Sequence, residues 1–108
     1  DTIQNFSAND YRRVDLEAQL DVSVDPMDAI KRLKEKLAEI PNVIKSPAPD
    51  VEVLRFTLSG PVLAVRPYTH TDNYWQVYFA ANQVIRGVGA EASYPAPKEQ
   101  VALHKLSA

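Results

Sequence analysis

A chain of 108 residues with 45% hydrophobic and 24% charged side chains is long enough for one domain with a real core and too apolar for a disordered segment. A net charge of −2 leaves no basic footprint for nucleic acid or anionic lipid, and the absence of cysteine removes disulfides, thiolate nucleophiles and cysteine-bearing zinc motifs together. No apolar run exceeds Val77–Ala81, whereas a membrane span needs about 20 apolar residues, and Asp1-Thr2-Ile3-Gln4-Asn5 does not open like a signal peptide.

Residues 1–12 show no sustained period. From Val14 to Val24 apolar residues (Val14, Leu16, Ala18, Leu20, Val22, Val24) alternate with polar ones, which predicts a strand with one buried and one wet face. Asp25-Pro26 ends it and starts a helix: Asp25 can accept from a free N–H of the first turn, Pro26 suits the first helical position, and Asp28 adds negative charge there. Ile30, Leu33, Leu37 and Ile40 then form one apolar stripe, closed by Pro41.

Asn42–Asp50, with Pro47 and Pro49, reads as a loop. Val51–Ser59 and Pro61–Thr69 read as two strands of a hairpin, punctuated by Ser59-Gly60. The apolar phase slips between Val53 and Leu54 (Val51, Val53, then Leu54, Phe56, Leu58), the mark of a bulge. Val62–Val65 is apolar on both faces and is predicted to be the more central strand, with Pro61 and Pro67 confining its regular pairing.

Thr71 or Asp72 is expected to cap a second helix whose stripe of Tyr74, Val77, Ala81, Val84 and Val88, widened by Tyr78 and Ile85, faces the sheet. Gly87 and Gly89 should weaken its end and allow the reversal. Trp75 and Phe79 fall to one side of that stripe, four residues apart. They are expected to pack at the edge of the domain's own core; the alternative is a subunit contact, where aromatics are enriched. Ser93–Pro97 is rigid and extended, and Val101 and Leu103 alternate with polar neighbours as a last short strand. The order βαββαβ predicts an α+β, ferredoxin-like sandwich over residues 1–97, with 98–108 as a terminal strand.

Candidate chemistry is sparse. His70-Thr71-Asp72 can be imagined as a base held by a carboxylate, but helix capping explains Thr71 and Asp72, and no second titratable partner is expected within hydrogen-bond reach of His70. His104 should simply be exposed. Asp15, Glu17 and Asp21 line one strand face, where a straight strand keeps carboxylates too far apart to converge on a metal. With Gly60, Gly87 and Gly89 the only glycines, no phosphate-cradling loop exists, and no serine has a nucleophile-elbow context. The expectation is a non-catalytic domain with no metal, no cofactor and no nucleic-acid partner.

Four segments carry a resemblance to one family. Asn5-Phe6-Ser7 followed by Arg12-Arg13, then Val65-Arg66, then Tyr74-Trp75 with Val77, and finally Tyr94-Pro95-Ala96-Pro97 with Val101 and Leu103, resemble successive segments of small-conductance mechanosensitive channels, the MscS family, in their C-terminal cytoplasmic α/β domain. The chain departs from the family where Glu91-Ala92 replaces the usual Gly-Ile and Lys98 the usual Gln. The resemblance implies a homoheptamer whose C-terminal parts form a hollow cytoplasmic vestibule, closed at its base by a barrel of terminal strands. It implies the cytoplasmic side of a multi-pass bacterial inner-membrane protein, with the pore and membrane helices in N-terminal segments missing here. Trp75, Phe79, Val101 and Leu103 are then the candidate subunit-interface residues, and residues 98–106 are expected either to pair between chains or to be poorly ordered in a monomer. The alternative is a free-standing ferredoxin-like domain that senses a small ligand.

Overall fold

Pro67 has no N–H to give, and the sheet divides where it stands. The computed structural model describes residues 10–97, so the expected terminal strand with Val101 and Leu103, His104 and the Asn5-Phe6-Ser7 segment lie outside the described residues. In chain order the elements are β1 (Tyr11–Arg13), β2 (Leu16–Gln19), α1 (Pro26–Ala38), β3 (Asp50–Thr57), β4 (Gly60–Arg66), β5 (Tyr68–His70), a 3₁₀ turn (Thr71–Asn73) and α2 (Tyr74–Glu91). Strands β2, β4 and β3 form an antiparallel sheet in that spatial order, and β1 pairs with β5 in a separate two-stranded sheet. Helices and sheets together make an α+β domain. Among the described residues the main sheet has three strands; the fourth strand of the expected sandwich falls at 98–108, outside them.

The strand expected from Val14 to Val24 is shorter at both ends. Before it, the chain already pairs as β1 with β5, Tyr11 opposite His70, and the Tyr11 and Tyr68 rings meet edge to face at 5.9 Å. Val14, fully buried, bridges the two sheets by donating its N–H to the Pro67 carbonyl at 2.8 Å. After Gln19 the alternation breaks, because Asp21 turns inward. Its carboxylate accepts from the Ser23 N–H at 3.0 Å and the Ser23 hydroxyl at 2.6 Å, and its carbonyl from the Val24 N–H at 3.0 Å. This local bonding competes with the ladder, buries Asp21 and leaves Val22 exposed, the reverse of the expected faces.

Helix α1 follows its local signals. Asp25 accepts from the Met27 N–H at 3.0 Å, Pro26 opens the first turn, and Ala29, Ile30, Leu33 and Leu37 are buried, with Ile40 just past the helix end. Truncating a side chain such as Leu33 in this core typically costs about 2–5 kcal/mol.

Strand β4 is the central one, as its composition predicts: Gly60 to Val65 are all buried. Leu63 and Val65 face the helices between Ala18 and Val53 and between Leu16 and Val51. On the other face Val62 and Ala64 stand between Gln19 and Arg55 and between Glu17 and Glu52. There Arg55 bonds Glu17 at 3.0 Å and Thr57 bonds Gln19 at 3.2 Å, so polar side chains span β4 and cover its second face. The register shifts between Val53 and Arg55, which places the predicted bulge at Leu54. The turn residues are Leu58 and Ser59, one position earlier than expected, and Gly60 pairs with Thr57 at the start of β4. Its φ is 141°, and a Cβ there would stand 2.4 Å from the Leu20 carbonyl oxygen.

Helix α2 buries Val77, Ala81 and Val88, with Tyr74, Tyr78, Val84 and Ile85 partly buried against the same core. Neither Thr71 nor Asp72 caps it. His70 caps the preceding 3₁₀ turn, its Nδ1 accepting from the Asp72 N–H at 3.2 Å, and Thr71 bonds Asp10 instead. Nor do the glycines make the reversal. The helix runs past both to Glu91, and Ser93 turns the chain with φ 59°, its N–H bonding the Ala90 carbonyl while the Tyr94 N–H bonds that of Gly89.

Two glycine substitutions separate close approach from mere flexibility. Gly60→Ala should lower the unfolding free energy by about 3 kcal/mol, from backbone clash and strained φ together. Gly87→Ala, with open space around the added methyl group, should raise it by about 0.5–1 kcal/mol. Urea unfolding midpoints measure both; equal effects at the two positions would contradict the packing described at Gly60.

Candidate functional site

The first two turns of α2 carry Tyr74, Trp75, Tyr78 and Phe79, and spacings of three and four set these rings side by side. Tyr74 meets Trp75 edge to face at 5.0 Å; Trp75 lies 5.1 Å from Tyr78 and 5.9 Å from Phe79, tilted by 30° in the last pair. Tyr74 and Tyr78 lean on the core, and the Arg12 guanidinium sits 4.1 Å from the Tyr74 ring centre. Gln76 fixes this end of the helix to the end of α1, donating to the Pro41 carbonyl at 3.1 Å and accepting from the Asn42 amide at 2.8 Å. Trp75 and Phe79 are left 60% and 61% exposed. The expected packing at the edge of the domain's own core therefore does not occur: the rings pack on one another, with their outer faces in water.

A second apolar surface was not foreseen. Leu54, Phe56 and Leu58 carry on the apolar run of β3 past the phase slip, yet Phe56 is 71% and Leu58 86% exposed. The phase slip at Leu54 was the available signal. After the bulge, Phe56 stands opposite Pro61 near the hairpin end, and Leu58 occupies the turn itself.

His70 has more company than expected. Its Nε2 lies 3.6 Å from an Asp10 carboxylate oxygen and its Nδ1 3.6 Å from one of Asp72, both just beyond hydrogen-bond reach. The three side chains are about half exposed or more, and Nδ1 is already committed to the Asp72 backbone. Of the three carboxylates expected on one strand face, Asp15 pairs with Arg13 at 2.7 Å and Arg66 at 3.6 Å, Glu17 pairs with Arg55, and Asp21 accepts from Ser23. Among the described residues no group of three acidic or histidine side chains is placed to hold a metal ion.

Between β2, α1 and the C-terminal half of α2 lies a cleft of about 350 Å³, lined by Ala18, Leu20, Leu33, Ile85 and Val88 and closed by the Tyr94–Pro97 segment. Gln19 at its wall already directs its amide to the carbonyls of Leu20, Gly60 and Pro61. Tyr94, one of its lining residues, donates its hydroxyl to Asp28, whose carboxylate also accepts from Arg32 at 2.9 Å. Partial burial, then the bond to Asp28, pushes the Tyr94 phenol up to about 12. The Tyr94 hydroxyl and then Arg32 hold the Asp28 carboxyl below its ordinary range.

The family model described as Mechanosensitive ion channel MscS, C-terminal, matches residues 14–92. No curated protein matches the chain. The matched span takes in the three-stranded sheet, both helices and the exposed aromatic pair, and ends just before the Ser93 turn.

The Tyr94–Asp28 contact makes a pH prediction. A phenol whose pKa is raised on folding stabilises the fold fully below its ordinary value of 10.0, and that contribution is lost as pH rises toward about 12. A carboxyl whose pKa is lowered stabilises above the ordinary carboxylate range and ceases to as pH falls through its depressed value. The gap in melting temperature between the wild type and Tyr94→Phe should therefore be widest near neutrality and close in both directions. Thermal unfolding followed across pH reads it; a gap unchanged at the alkaline end would contradict the contact.

Proposed function

This chain belongs to the MscS mechanosensitive ion channel family, through the C-terminal domain of that family, and we propose that its own work is assembly: it forms part of the wall of the channel's cytoplasmic vestibule. The family is one of membrane channels, not of enzymes. Among the described residues no helix is long and apolar enough to cross a membrane. In this reading the pore is formed by other segments, on the membrane side of the domain, and copies of the chain come together as the homoheptamer that the family resemblance implies, on the cytoplasmic face of a bacterial inner membrane.

The observation that carries the assembly reading is the exposed pair Trp75 and Phe79. Two large rings held rigidly on a folded helix and left mostly in water expose apolar surface that a partner can cover, and aromatics of this kind are the usual anchors of subunit contacts. Their placement supports the same view, since Gln76 and Tyr74 tie the helix end to the rest of the domain and leave little to be ordered on binding. Val101 and Leu103 lie outside the described residues and carry no part of this argument.

Sedimentation of the 108-residue chain over a concentration series tests the reading. Self-association is expected, and Trp75→Asp or Phe79→Asp should weaken it at least about tenfold, which corresponds to about 1.4 kcal/mol. Because both positions are exposed, the unfolding free energy should change by no more than about 0.5 kcal/mol. Association unaffected by either substitution would remove the support for an interface on α2.

A further inference from the structure

We propose that copies of this chain join head to tail, with the aromatic face of α2 on one copy, Trp75 and Phe79, seated against the hairpin end of the next copy, Phe56 and Leu58. The inference rests on the assembly reading above and adds to it the identity of the opposing surface.

The two patches belong to opposite flanks of the domain. Helix α2 packs over β2 and β5, whereas α1 covers β4 and β3, so β3 is the strand farthest from α2 across the sheet. They also lie toward opposite ends of β4: the hairpin turn precedes Gly60, while α2 begins beyond Arg66, after β5 and the 3₁₀ turn. A single copy cannot cover one patch with the other. Among the described residues strand β3 has a neighbour on one side only, so its outer edge also presents backbone groups to an incoming chain.

Size and symmetry decide the mode of contact. Each pair of side chains offers about 300 Å² of apolar surface, large for an exposed patch and roughly a third to a half of the 800 Å² or so that each partner gives to a standard interface. A two-fold contact pairs each patch with the other only where both lie on one side of the domain; with the patches on opposite flanks, it covers one of them and leaves the other wet on both copies. A head-to-tail contact uses different surfaces on the two partners, and one kind of contact then covers both patches on every copy within a ring. The occupant of the α2 face is therefore the hairpin end of a second copy.

The test is a mixing experiment with the 108-residue chain. Trp75→Asp and Phe56→Asp are made separately, each expected to fold like the wild type because both positions are largely exposed. Alone, each should fail to associate at concentrations where the wild type forms species larger than a dimer. Mixed in equal amounts they should form a dimer and nothing larger, since the intact α2 face of one meets the intact hairpin of the other. If either aspartate variant melts early, Trp75→Ser and Phe56→Ser replace it in the same design. Wild-type association with no recovery on mixing, or with Phe56→Asp assembling normally, would overturn the pairing of these two surfaces while leaving self-association in place. A wild-type chain that stays monomeric at every concentration would overturn the assembly reading and this inference together.

Discussion

Strand β4 is paired on both edges and covered on both faces, and that double burial determines where every other element can go. Its inner face, Leu63 and Val65, gives the helices a floor to pack on. Its outer face is shut by the Arg55–Glu17 and Thr57–Gln19 contacts, so the sheet keeps a second, polar covering without a third layer. Both ends are set by residues that limit the backbone. Gly60 lets the hairpin close against Leu20–Val22, where a side chain would strike main chain. Pro67 ends the ladder and sends the chain on into β5 and α2.

One consequence is that the core is narrow. With three strands in the main sheet and two helices above it, the apolar residues beyond the helices' reach are left uncovered by the described residues. Phe56 and Leu58 overrun the sheet at the hairpin end, and Trp75 and Phe79 overrun the helix stripe at the other. In a free monomer such surface favours non-specific association; under the assembly proposal it is the surface that contact between copies would cover. The ionisable groups are paired for local structure, as in Asp28 with Tyr94 and Arg32 or Asp15 with Arg13 and Arg66, and not gathered around an enclosed space.

What could be read in the sequence was what depends on neighbours in the chain. Helix α1 was legible from its cap to its last buried turn because Asp25-Pro26 and the 3–4–3 spacing act within a few residues. The bulge at Leu54 was legible as a phase slip, and the centrality of β4 as a run apolar on both faces. The family was legible from short segments in the right order, and the family match spans 14–92. Misreadings arose where distant chain decides. Val22 is the exception, since the Asp21–Ser23 bonds that turn Asp21 inward are local, but the period-two alternation running through Val22 and Val24 masks them. The pairing of β1 with β5 has too few residues to show a period. Ser93 adopts a left-handed conformation more often given to glycine, and so the reversal was assigned to Gly87 and Gly89. For Trp75 and Phe79 the helix stripe alone points to the core edge, because it does not show how far the sheet beneath it extends.

Trp75 is the only tryptophan in the chain, so its fluorescence reports on the one surface that matters most here without any label. An interface role predicts that the emission moves to shorter wavelength, and that iodide quenching falls, over the same concentration range in which the chain assembles. Emission that stays at the position of an exposed indole, still open to iodide when assembly is complete, would contradict that role.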